Sequence, residues 1–81
     1  MKHSTIIVRA EWDDEAKVWV ATSDDVGLAT EAETLEALRP KVIGMIVELL
    51  ELDDADYSGL PEIPIQIMAQ QLARIPNPKF N

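Results

Sequence analysis

Residues 35–52, LEALRPKVIGMIVELLEL, constrain the fold more than any other stretch of this chain. At about 100° per residue, Leu38, Val42, Met45, Ile46 and Leu49 fall in one stripe, with Ile43, Val47 and Leu50 in a second stripe beside it. Together with Leu52 they cover about 220° of the circumference, where a helix lying on one sheet needs roughly 100°. Lys41, Gly44, Glu48 and Glu51 define the polar side. A helix that is apolar on two sides is buried on two sides. In a chain of 81 residues, the second stripe is expected to meet another copy of the chain or a partner. Ile43, Val47 and Leu50 are therefore the candidate self-association residues, and a homo-oligomer, dimer or higher, is expected.

Thr34 precedes the helix and suits an N-cap, because its hydroxyl can accept an orphan amide proton of the first turn. Glu33 and Glu36 flank it at the end where negative charge is favoured. Eighteen helical residues span roughly 27 Å. Pro40 lacks an amide proton and its ring crowds the carbonyl of Glu36, so a kink or an effective start is expected there.

Upstream the period is two. Ile6, Val8, Ala10 and Trp12 share one side and Ile7, Arg9 and Glu11 the other, predicting a strand over 4–12. DDEAK turns the chain, and VWVATS predicts a second strand over 18–24, with Val18, Val20 and Thr22 opposite Trp19 and Ala21. Five polar-rich residues between two strands make an antiparallel hairpin. The Asp-Asp-Glu cluster is ordinary turn chemistry, with charge keeping the tip solvated. Gly27 leads into a short third strand over 27–30. DDADYSGLPE (53–62) reads as a loop in which Tyr57 and Leu60 are packing anchors. Residues 63–75 fit both periods: Ile63, Ile65, Ile67 and Ala69 alternate, while Ile65, Met68, Leu72 and Ile75 keep helical spacing. PNPKFN continues neither element.

Fifteen acidic residues against seven basic ones give a net charge of −8. That field repels phosphates, so direct nucleic-acid binding by this chain is not expected, and it attracts a basic protein. Without cysteine there is no disulfide and no thiolate metal site. The apolar run Ile6–Val8 is too short for a signal peptide, and VIGMIVELLEL is too short and too charged for a membrane span. A cytoplasmic location is expected.

Two-metal hydrolysis needs carboxylates converging on one point. Glu11, Asp13, Asp24 and Asp25 sit on strands or turns, and Glu48 and Glu51 face solvent from the helix, so a metal-dependent nuclease is a remote alternative. His3 is the only histidine and lies near the terminus, which leaves no Ser-His or Cys-His arrangement. No enzymatic activity, metal or cofactor is expected. Trp12 and Trp19 are hard to bury together under one helix. Aromatic anchors ringed by acids suit recognition of a basic protein surface.

The stretch VWVATSDDVGLATEAETLEAL resembles the HicB-like antitoxins and their short relatives, some described only as domains of unknown function. Asp25, Val26, Gly27, Thr30, Thr34, Leu35, Glu36 and Ala37 fall on that family's pattern. The proline that usually precedes the glycine is absent, and Ala32-Glu33 stands where Gly-Asp is usual. The resemblance implies an α+β fold, β-β-β-α-β, of partial ribonuclease-H-like form, with one helix on a small antiparallel-rich sheet. It also implies that the last segment is a strand, over 63–73. It further implies an antitoxin that covers a small basic, HicA-like messenger-RNA-cleaving toxin. The candidate partner-binding residues are Trp12, Trp19, Asp24, Asp25, Glu31 and Glu33. The other reading is an orphan oligomeric interaction domain without a toxin.

Overall fold

The alternation in the first two segments produces β1 (Ile6–Asp13) and β2 (Val18–Ser23), paired antiparallel with Trp12 opposite Trp19 and Ala10 opposite Ala21. In this computed structural model, residues 5–52, 57 and 59–80 are described. The expected strand start at residue 4, His3, and half of the 53–62 loop (Asp53, Asp54, Ala55, Asp56 and Ser58) lie outside them.

The hairpin closes through Asp13. Its Oδ1 accepts from the amides of Glu15 at 3.0 Å and Ala16 at 3.1 Å, and its carbonyl accepts from the Lys17 amide at 2.7 Å. Lys17 completes the turn at φ 60°, a left-handed conformation. Gly27, at φ 65°, turns the chain into β3 (Leu28–Ala32), which pairs antiparallel with β2. This strand begins one residue later than expected and runs two residues further.

Thr34 caps α1 (Leu35–Leu52) as its sequence position suggests. The Ala37 amide donates to its Oγ1 at 3.0 Å, and the Leu38 amide donates to its carbonyl at 2.9 Å. Of the two outcomes expected at Pro40, a kink or an effective start, the start is not seen: the helix spans Leu35–Leu52 with Pro40 inside it. Only the Glu36 carbonyl loses its acceptor role in the ladder. Glu36 and Pro40 are both exposed, so solvent can satisfy that group.

The ambiguous last segment forms β4 (Ile65–Gln70), parallel to β1 and shorter than the expected 63–73. Pairing with β1 ends at Glu11 opposite Gln70, and the chain then leaves the sheet. The result is an α+β fold with a four-stranded mixed sheet, order β3-β2-β1-β4, and one helix packed on it.

Registers fix the inner face. Ile6, Val8, Ala10 and Trp12 align with Trp19, Ala21 and Ser23 on one side and with Ile65, Ile67 and Ala69 on the other. The core is Ile6, Val8, Ala10, Ala21 and Leu28 beneath Leu38, Val42 and Ile46 of α1, with Tyr57 from the following loop. Ala10 and Ala21 carry only a methyl group where the sheet meets the helix. α1 packs chiefly on β3 and less on β2, so it sits to one side of the sheet. Lys41 ties that flank down, its Nζ donating to the Glu31 carbonyl at 2.7 Å.

Candidate partner-binding surface

At the hairpin end of the inner face the two tryptophans meet edge to face, ring centroids 5.6 Å apart and planes at 61°. Both are half-buried. The Trp12 indole Nε1 donates to Asp14 Oδ1 at 3.2 Å, and Lys17 Nζ reaches the same oxygen at 3.1 Å. Hydrogen bonding from Lys17, then from Trp12, together with the Lys17 charge, holds the Asp14 carboxyl below its ordinary 3.8. The capped start of α1 stands beside the rings. Trp12, Trp19, Glu33, Thr34, Leu35 and Glu36 line an open hollow of about 390 Å³. It has an aromatic floor and a carboxylate wall at the helix N-terminus. Such a surface can hold a guanidinium or ammonium group by cation–π attraction and charge-assisted hydrogen bonds.

The other acids singled out in the sequence lie elsewhere. Asp24 and Asp25 occupy the turn at the opposite end of the sheet. With Ile7, Arg9, Thr22 and Ser23 they line a polar depression of about 260 Å³. Asp25 has a structural duty, because its Oδ2 accepts the Ile7 amide at 2.8 Å. Buried Ser23 Oγ in turn accepts the Asp25 amide at 3.3 Å. Glu31 stands on the outer face of β3, opposite Val20 in register. Of the four acids only Glu33 joins the tryptophans. Glu36 and Asp14 belong to the same shelf, and the sequence reading did not select them. The signal was there for both: Asp14 lies two residues past Trp12, and Glu36 three past Glu33 on the first helical turn.

The second helical stripe is open to solvent, with Ile43 at 38% and Val47 at 51% exposure and Leu50 half-buried. Val47 and Leu50 join Glu51, Tyr57, Leu60 and Ile63 around a hollow of about 380 Å³. Further along, Leu35, Leu38 and Arg39 face Ile65, Ile67 and Ala69 across a groove of about 370 Å³ between α1 and β4. Among the described residues no three histidine, cysteine or acidic side chains are placed to hold a metal ion. No helix among the described residues is long and apolar enough to cross a membrane.

A family model described as a domain of unknown function, DUF1902, matches residues 5–76. No curated protein matches. Among solved structures, the chain is similar to the crystal structure of a hypothetical protein, TTHA1013, from the extremely thermophilic bacterium Thermus thermophilus. The two are 44% identical, the match covers 90% of this chain and 99% of that one, and the TM-score is 0.62.

Proposed function

We propose that this chain, which belongs to the DUF1902 family of domains of unknown function, is a cytoplasmic HicB-like antitoxin that binds a small basic toxin ribonuclease and occludes its active site. The observation that carries this reading is the Trp12–Trp19 pair, left half open beside Glu33 and Glu36. The rings supply contact area at low conformational cost, and the carboxylates select a basic side chain over an acidic one. A net charge of −8 speeds the encounter with a cationic surface. The likeness of residues 5–38 to the HicB-like pattern supplies the class of partner. Blocking access needs no chemistry from this chain, so no catalytic residue is required of it.

Co-expression with the product of the neighbouring reading frame tests the proposal. A stoichiometric complex that weakens as salt rises is expected, together with loss of the partner's ribonuclease activity. A neighbouring frame that encodes no small basic protein, or a complex that leaves the partner's RNA cleavage intact, removes the basis of this reading.

A second reading has its own observation. The open flank of α1 at Ile43, Val47 and Leu50 favours self-association, with or without a toxin.

A further inference from the structure

We propose that residues 71–80 of one copy, extended over 71–76 and turned at 77–80, lie as an arm beside α1 and β4 of a second copy, with the exchange made reciprocally. The inference rests on the self-association reading and names what fills the open flank.

The trough arises from the off-centre seat of the helix. Lys41 anchors one flank of α1 to β3, and Arg39, Ile43 and Leu50 lie on the other flank, about 160° round for Ile43. That second flank overhangs the inner face of β4, where Ile65 and Ile67 stay half-exposed. The groove at Leu35 and Arg39 and the hollow at Val47 and Leu50 both open beside the helix, one toward each of its ends. They are spread along a helix roughly 27 Å long.

The arm matches the trough in three ways. Residues 71–76 extend over about 20 Å before a turn in which the Phe80 amide donates to the Asn77 carbonyl at 3.1 Å and the Lys79 amide to Asn77 Oδ1 at 2.9 Å, so the arm offers a straight part to lie beside α1 and a turn to close its end. Leu72, Ile75 and Phe80 are 78%, 81% and 82% exposed, so three large apolar side chains find no cover in their own subunit. Charge also fits. All fifteen acids fall between Glu11 and Glu62, whereas residues 63–81 carry Arg74 and Lys79 and no acid. Glu51 lines the hollow at Val47 and can receive one of those cations, and Glu36 borders the neighbouring tryptophan hollow; among the described residues lining the groove and the Val47 hollow, Arg39 is the one cation.

The arm does not lie in its own trough. The molecule measures 60 × 27 × 17 Å with a radius of gyration of 16.2 Å, against about 12 Å for a compact domain of this length. Reciprocal exchange supplies each bare trough with the other chain's bare arm and closes as a two-fold dimer.

The chain lacks cysteine, so engineered thiols report proximity without background. Arg39→Cys, on the trough wall, is mixed with a mass-labelled Ile75→Cys chain and oxidised. A disulfide-linked heterodimer is expected, and Leu72→Ser with Phe80→Ser in the arm-bearing chain should abolish it while leaving the circular dichroism unchanged. Light scattering of the unmodified chain should give twice 9.0 kDa. A dimer in which Val47→Cys chains link to each other, while the mixture does not, overturns the arm and leaves self-association standing. A monomer overturns both. A disulfide confined within one chain in the Arg39→Cys/Ile75→Cys double variant overturns the exchange.

Discussion

Asp14 receives two donors on one oxygen, the Trp12 indole and the Lys17 ammonium, and this makes the hairpin tip a pH reporter. A carboxyl whose folded value is depressed contributes its interaction above the unfolded value and loses it as pH falls through the folded one. The contact should therefore persist down through 3.8 and break only below it. The indole proton resonance of Trp12 followed against pH should show its inflection under 3.8, and Lys17→Met should move that inflection upward, since Lys17 is the leading cause. An unshifted inflection in the variant would falsify the assignment. Asp13 has a different task. Replacing it with Ala removes the acceptor of two turn amides and should cost about 1 kcal/mol in chemical denaturation. These roles were legible in outline, because an acid-rich turn between alternating segments reads as turn chemistry. Which acid met a tryptophan was not, since that depends on the register that sets Trp12 opposite Trp19.

The helix is the element most fully written in the sequence. Its cap, its bounds and its inner stripe all follow from side-chain type and a period of 3.6. Thr34→Ala should lower stability by about 1 kcal/mol, because the Ala37 amide loses its partner. The two stripes should separate in the same assay. Leu38 is buried, and Leu38→Ala should cost about 2–5 kcal/mol. Val47 is half open, and at concentrations low enough to keep the chain monomeric Val47→Ser should stay within about 0.5 kcal/mol of the parent. Equal losses at both positions would mean that the outer stripe is covered within one chain. Pro40 shows where local rules stop. Its penalty is real, but a capped first turn and an exposed Glu36 carbonyl let tertiary packing carry the helix across it. β4 is ambiguous in the sequence for a related reason: its residues fit two periods, and parallel pairing with β1, a contact distant in sequence, selects the strand.

At the scale of the molecule, the α+β order was readable, while the seat of the helix was not. Small residues on the inner face, Ala10 and Ala21, let α1 settle over β2 and β3, and this leaves β4 half covered. The same placement brings the capped helix end against the tryptophans and separates Glu33 from Asp24, Asp25 and Glu31. Two acidic surfaces at opposite ends of one sheet therefore compete as the landing site for a cation-bearing partner, and charge reversal distinguishes them. Glu33 and Glu36 are exposed and support no other described side chain, so Glu33→Lys with Glu36→Lys should keep the fold at a cost of about 0.3–1 kcal/mol per charge at the helix N-terminus. Trp12→Ala removes the aromatic floor. If the shelf is where a basic protein docks, the double reversal should weaken the complex by roughly tenfold or more, chiefly in its salt-dependent on-rate, and Trp12→Ala should speed its dissociation. Asp24→Asn is the control at the other end, because it removes one charge at the far turn without touching the Asp25 brace on Ile7. Surface plasmon resonance at two salt concentrations reads all three. A loss confined to Asp24→Asn would move the interface to the other end of the sheet, where Arg9 and Asp25 already face one depression.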